Sequence, residues 1–233
     1  MLVFAFILAA AGGYLLGSIP FGLVLTKAAG LGDIRNVGSG NIGATNVLRT
    51  GRKDIALATL LLDAGKAAIA LLLARAFAGL AGIHDEPQMQ IGLVAGGAAF
   101  IGHCFPVWLQ FKGGKGVATF FGVLFAGIWP LGIVAGITWL ATATIFRYSS
   151  LAALCAAAIA PIMSLIAGYQ WWETLFAFVL AALIFWRHAA NIARLRAGTE
   201  PKIGAKKEEE AAAPVVAEAP PPAPAPNPEP SAE

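Results

Sequence analysis

The run MLVFAFILAAAGGYLLGSIPFGLV, residues 1–24, decides the fold. It carries no charged side chain, and the first cation, Lys27, comes after it. About 20 consecutive apolar residues are needed to cross a bilayer. A cleaved export signal needs a basic segment ahead of a shorter apolar stretch, and this run has none. It therefore reads as a retained first membrane helix. Gly12, Gly13 and Gly17 within it permit close packing against another helix.

The same composition continues outward. Of 233 residues, 58% are hydrophobic and only 12% charged, where soluble domains carry about 25% charged residues. Mean hydropathy is +0.73. Further apolar runs cover residues 54–80 (interrupted by Asp63 and Lys66), 91–109, 117–146, 151–168 and 174–186. The 117–146 run is too long for one span and holds Trp129-Pro130 near its middle, so it divides into two short helices with a turn at the proline. The expectation is an all-α, polytopic integral membrane protein with about seven transmembrane helices, several of them short; five is the minimum count. Cys104 and Cys155 lie in apolar stretches and read as small buried side chains rather than a disulfide.

Charge placement orients the chain. Residues 27–53 hold Lys27, Arg35, Arg49, Arg52 and Lys53 against Asp33. Lys112 and Lys115 follow the third run, Arg147 the fifth, and Arg187, Arg194, Arg196 and Lys202 the last. The alternate connections, His84-Asp85-Glu86, Trp129-Pro130 and Trp171-Trp172-Glu173, contain neither Lys nor Arg. Basic residues are retained in the cytoplasm, so the N-terminus is expected outside and the C-terminus inside. Residues 205–233 are rich in Ala, Pro and Glu, cannot bury a core, and read as a disordered cytoplasmic tail on a 1–204 membrane domain.

The basic connections also carry the candidate chemistry. The first reads VGSGNIGATNVLR, residues 37–49. Its Gly38, Gly40 and Gly43 form GxGxxG, but a membrane helix precedes them instead of a strand, which excludes a dinucleotide fold. Glycines still let backbone N–H groups approach an anion. Ser39, Asn41, Thr45 and Asn46 can donate hydrogen bonds, and Arg49 offers a planar fork for phosphate oxygens. The second segment contains Lys112-Gly113-Gly114-Lys115-Gly116. It fails the Walker A pattern, with Leu109 where Gly is required and Gly116 where Ser or Thr is required, so an ATPase is disfavoured. A glycine loop flanked by lysines and opening a helix remains an anion site. His103, just before it, reads either as a packed interfacial histidine or as a substrate contact. In the third segment, RHAANIARLRAGTE, His188 and Asn191 are three apart and share a helix face that Arg194 continues. Such a pair can exchange a proton or orient a hydroxyl, and Glu200 can hold the loop.

Taken together, GSIPFG (17–22), VGSGNIGATNVLR (37–49), GHCFPVWLQFKGGKGVAT (102–119) and RHAANIARLRAGTE (187–200) strongly resemble the bacterial acyl-phosphate:glycerol-3-phosphate acyltransferases. The resemblance spans about residues 10–204 in order. It implies a seven-helix enzyme of the bacterial cytoplasmic (inner) membrane with its site facing the cytoplasm. That enzyme acylates the 1-position of sn-glycerol 3-phosphate from acyl phosphate, giving lysophosphatidic acid and phosphate for phospholipid synthesis. It implies catalytic roles for Ser39, Arg49, His188 and Asn191. Phosphate or substrate binding is implied for Gly38, Gly40, Asn41, Thr45, Asn46, Lys112, Gly113, Gly114, Lys115 and Gly116, and a structural role for Glu200. The implied partners are glycerol 3-phosphate, acyl phosphate and membrane lipid, with an acyl-phosphate-producing enzyme as a candidate protein partner. No cofactor, metal or nucleic acid is implied.

The sequence also limits the mechanism. Five residues after His84, His103 and His188 stand Met89, Trp108 and Ala193, so the His-x4-Asp pair of other glycerolipid acyltransferases is missing. No Ser-His-Asp signature is evident. Direct transfer from an activated anhydride is the expectation. The competing class is a transporter of a phosphorylated solute. The sequence shows no convincing internal repeat, and its polar motifs cluster on one face, which weighs against that class.

Overall fold

A computed structural model describes residues 1–204, so the expectation for the 205–233 tail lies outside the described residues. Ten α-helices form there: α1 (Leu2–Gly17), α2 (Phe21–Ala28), α3 (Ala44–Leu48), α4 (Lys53–Leu80), α5 (Asp85–Cys104), α6 (Val117–Gly127), α7 (Trp129–Phe146), α8 (Ser149–Ile166), α9 (Trp171–Arg187) and α10 (Ala189–Arg196). Short 3-10 turns lie at Ile34–Asn36 and Val107–Leu109. Each expected apolar run is mainly helical, but the first is broken between Gly17 and Phe21 into α1 and α2, and the 91–109 run leaves the α-helix after Cys104.

Five helical stretches are long and apolar enough to cross a membrane, and α9 with α10 makes a sixth if that pair, bent by 61°, counts as one span. The remaining expected helix, α6, which is the first half of the 117–146 run, has 11 residues. At 1.5 Å per residue it rises about 16 Å, roughly half the hydrocarbon thickness. The break between α6 and α7 falls at Ile128, two residues before the proline where the turn was expected. Pro130 stands in the first turn of α7, where its missing N–H costs nothing.

Within a bilayer, helices are held by close van der Waals contact rather than by expulsion of water. Gly13 and Gly17 bring α1 directly onto the backbone of Ala95 and Ala99 in α5, where an added Cβ would overlap. Gly12 meets nothing, so two of the three glycines make the seam. Gly122 lets α6 rest on the Ala64 carbonyl of α4. The shared core includes Ala67, Leu71, Leu93, Phe100, Phe120 and Val123. Large apolar side chains such as Phe77, Ile137, Leu140 and Leu165 stay exposed, as expected for surfaces that face lipid.

Candidate active site

The first polar segment is built around one amide. Asn46, 2% exposed on α3, directs its Nδ2 at the carbonyls of Ile34 (3.0 Å), Val37 (2.9 Å) and Asn41 (2.8 Å). Its Oδ1 accepts from the backbone N–H of Ser39 at 3.2 Å and from the Ser39 hydroxyl at 3.4 Å. Two N–H hydrogens are thus shared among three carbonyls, leaving none for a ligand. Asn46 thus organises the loop. Ser39 and Arg49 remain exposed. Gly38 has φ +52, and a Cβ there would overlap the Arg49 guanidinium, so the glycine gives Arg49 room to lie across the loop. Gly40 is also left-handed, and Asn41 is half-buried. The Thr45 hydroxyl pairs with that of Ser149 at 3.2 Å, joining this loop to the start of α8.

The glycine loop differs from expectation. Gly113 N–H donates to the Cys104 carbonyl (3.1 Å) and Gly114 N–H to that of His103 (3.0 Å). The carbonyls of the two glycines accept from Arg187, at 2.9 Å and 3.0 Å, and Arg187 also stacks over the Phe105 ring. Gly113 and Gly114 are therefore held by protein on both sides, and their amides do not form an anion cradle. Their lack of side chains lets the loop press against His103 and Pro106. Gly116, at φ +82 against Phe100, caps α6. What this segment offers an anion is the α6 N-terminus and the ammonium of Lys115. Lys112 is exposed and, among the described residues, makes no side-chain hydrogen bond.

The third segment turns at His188, between α9 and α10. Its Nδ1 lies 2.8 Å from the Ile184 carbonyl, which can only accept, so Nδ1 carries a hydrogen. In the neutral ring the lone pair is then on Nε2. Asn191, also buried, links the motifs. Its Oδ1 accepts from the Lys115 ammonium, and its Nδ2 donates to Glu200 Oε1 at 2.6 Å. Arg194 Nε donates to Glu200 Oε2 at 2.7 Å. Glu200 is fixed in turn by a latch, in which Ile203 N–H donates to the Arg147 carbonyl (2.7 Å) and Arg147 Nη2 to the Ile203 carbonyl (2.9 Å).

Electrostatics join the three segments. Burial pushes the Lys115 ammonium down to about 8; Glu200 opposes this, and the nearby charges of Arg194, Arg187 and Arg49 add to it. A ligand bearing negative charge would relieve that crowding. For Glu200, burial favours the neutral acid, but the hydrogen bonds it accepts prevail and its carboxyl sits below the usual range.

Comparison with known proteins shows the family. The family model described as "Glycerol-3-phosphate acyltransferase" matches residues 7–198. The chain belongs to the glycerol-3-phosphate acyltransferase family. A glycerol-3-phosphate acyltransferase of Maricaulis maris is 60% identical over 204 residues, covering 88% of this chain and 90% of the relative. One from Rhodospirillum rubrum is 60% identical over 201 residues, covering 85% and 91%. Two crystal structures of PlsY (YgiH), an integral membrane glycerol 3-phosphate acyltransferase, share the fold. The glycerol 3-phosphate form has TM-score 0.74 and 41% identity, covering 87% of this chain and 96% of that one. The lysophosphatidic acid form has TM-score 0.73 and 38% identity, covering 85% and 95%.

Three features of this acyltransferase-family chain escaped the sequence. Arg187 clamps the glycine loop, although the sequence marks it only as a topological cation. Ser150 is 7% exposed, beside Glu200, and its hydroxyl makes no well-formed hydrogen bond. Asp63, Lys66 and His103 meet inside the helix bundle. Only tertiary structure could pair them, since 37 residues separate Lys66 from His103.

Proposed function

We propose that this protein transfers an acyl group from acyl phosphate to the 1-hydroxyl of sn-glycerol 3-phosphate. The products are 1-acyl-glycerol 3-phosphate and inorganic phosphate. The observation that carries this reading is the chain Lys115–Asn191–Glu200–Arg194, set beside His188 and within the electrostatic reach of Arg49. Cations surround one carboxylate there, and that carboxylate already accepts two strong hydrogen bonds. Glu200 is thus no general base, and the site suits substrates that bring their own negative charge and their own activation.

Acyl phosphate meets that requirement because it is a mixed anhydride. The glycerol hydroxyl oxygen bonds to the carbonyl carbon, the carbon–oxygen bond to phosphate breaks, and phosphate leaves. The hydroxyl proton goes to a phosphate oxygen, with His188 Nε2 orienting the hydroxyl. Arg49, Ser39 and Lys115 hold phosphate groups, and Asn191 positions glycerol 3-phosphate. Orientation and fixed positive charge supply most of the acceleration. Gly38 and Gly40 shape the first loop, while Asn41 and Thr45 border it. Membrane helices wall the site, so the lipidic donor can enter from the bilayer. The basic connections support a site on the cytoplasmic face of a bacterial inner membrane, with the N-terminus outside; Arg35→Cys should then react with an impermeant thiol reagent from inside only.

The decisive assay supplies purified protein with palmitoyl phosphate and glycerol 3-phosphate, and measures lysophosphatidic acid and phosphate. Formation of both in equal amounts is expected. Absence of both from folded protein overturns the reading; the same activity with an acyl thioester in place of acyl phosphate overturns the donor assignment.

A further inference from the structure

We infer that Asp63, Lys66 and His103 are positioning residues that set the glycine loop, and through it Lys115, at the height needed to meet phosphate. The inference rests on the acyltransferase reading above.

Lys66 sits on α4 and Asp63 one turn before it, with side chains 1% and 2% exposed. The Lys66 ammonium donates to Asp63 Oδ1 at 2.8 Å and to the Ile19 carbonyl at 2.8 Å, and lies 3.0 Å from His103 Nδ1 on α5. An ammonium has three hydrogens and no lone pair. Three acceptors use all three hydrogens, so His103 Nδ1 is an acceptor and the ring hydrogen is on Nε2. The Ile19 carbonyl, which also accepts the Phe21 N–H at 3.1 Å, lies where Pro20 interrupts the path from α1 to α2, so Lys66 braces that break. One ammonium thereby ties together the α1–α2 break, α4 and α5.

The other edge of the His103 ring reaches the glycine loop. A side chain at Gly114 would overlap His103 Nε2, and the His103 carbonyl accepts the Gly114 N–H at 3.0 Å. Ring and backbone of one residue thus fix Gly114, and Lys115 follows it directly. Arg187 holds the opposite side of the loop. A buried ion pair is a poor source of stability, and apolar residues of similar volume often serve as well or better. Charged groups inside a membrane bundle are costly and tend to mark function. None of the three side chains lies among the groups assigned to substrate, so their contribution is the orientation of the loop.

The test replaces the pair with apolar residues, Asp63→Leu with Lys66→Met, in full-length protein in nanodiscs. The expected result is a KM for glycerol 3-phosphate raised about tenfold or more with kcat within roughly threefold. Amide hydrogen exchange at Gly113 and Gly114 should quicken by about tenfold. Adding Lys115→Ala to that background should cost only about a further threefold, since the lysine is already misplaced. A folded double variant with unchanged KM and exchange overturns the inference, as does a full, additive loss on adding Lys115→Ala. His103→Gln, which leaves the ion pair intact, provides a second route if the double variant does not fold. It should show the same KM and exchange changes, and their absence overturns the inference equally. If wild-type protein releases no phosphate in response to glycerol 3-phosphate, the acyltransferase reading fails instead. Hydrogen exchange still tests the loop contact in that case.

Discussion

Replacing Glu200 by Gln tests the central connection between motifs. Glu200 accepts from Asn191 at 2.6 Å and from Arg194 at 2.7 Å. Hydrogen bonds to a charged group are worth about 1.5–3 kcal/mol and neutral ones about 0.5–1.5 kcal/mol. Gln keeps one oxygen, so the bond it retains weakens by about 1 kcal/mol. Its NH2 group then opposes the other donor, whose bond, about 1.5–3 kcal/mol, is lost. Arg194 is 36% exposed, so water replaces part of what it loses. A net effect of about 2–3 kcal/mol remains, which corresponds to about a 30- to 150-fold fall in kcat/KM. The loss acts through Asn191, whose carbonyl would no longer be aimed at Lys115. Initial rates of phosphate release against glycerol 3-phosphate concentration, at matched amounts of folded protein, give the number. Glu200→Asp is a second probe, because its shorter side chain cannot reach both donors and should fall by a similar factor. An E200Q enzyme within about threefold of wild type would refute the claim that Glu200 orients Asn191.

Other outcomes follow from the same geometry. Lys115 is charged below about pH 8 and loses its charge as pH rises, so KM for glycerol 3-phosphate should climb about tenfold between pH 7 and pH 9. Lys115→Arg should flatten that window; a wild-type KM independent of pH would exclude Lys115 as the phosphate ligand. The exposed Lys112 should matter less than Lys115: about fivefold or less on truncation to Ala, against about 30-fold or more. Equal losses in steady-state kinetics would reverse the assignment. Asn46→Ala leaves the carbonyls of Ile34, Val37 and Asn41 without their donor. It should lower stability by about 3 kcal/mol and abolish turnover; a fully active variant with an unchanged melting temperature would show that the loop stands without it.

Apolar runs and their interruptions were legible because each helix must satisfy its own backbone in lipid. The division of residues 117–146 near Trp129-Pro130 is one case, displaced two residues from the proline. Site residue types were legible too, but which partner each polar group takes was not. Asn46 and Asn191 look alike in sequence. One is consumed by loop carbonyls, while the other bridges Lys115 and Glu200. The Gly113 and Gly114 amides point inward because the end of α5 presents the carbonyls of His103 and Cys104, a juxtaposition that glycine spacing does not encode. Asp63 and Lys66 register in the sequence as interruptions of an apolar run, and their joint partner becomes visible only when α5 packs beside α4.

The latch between Arg147 and Ile203 makes a ruler of the segment that carries Glu200. Ala197, Gly198 and Thr199 are exposed, and exposed loops of that kind ordinarily accept insertions and deletions. Here both ends are moored, to Arg194 and Asn191 on one side and to Arg147 on the other. Removing one residue shortens the reach by about 3.5 Å, more than the length of either Glu200 hydrogen bond. The exposed side chains of Ala197 and Thr199 can be exchanged, whereas the residue count between the moorings cannot. Between α10 and the latch, Glu200 is thus specified by kind and the residues that carry it by number.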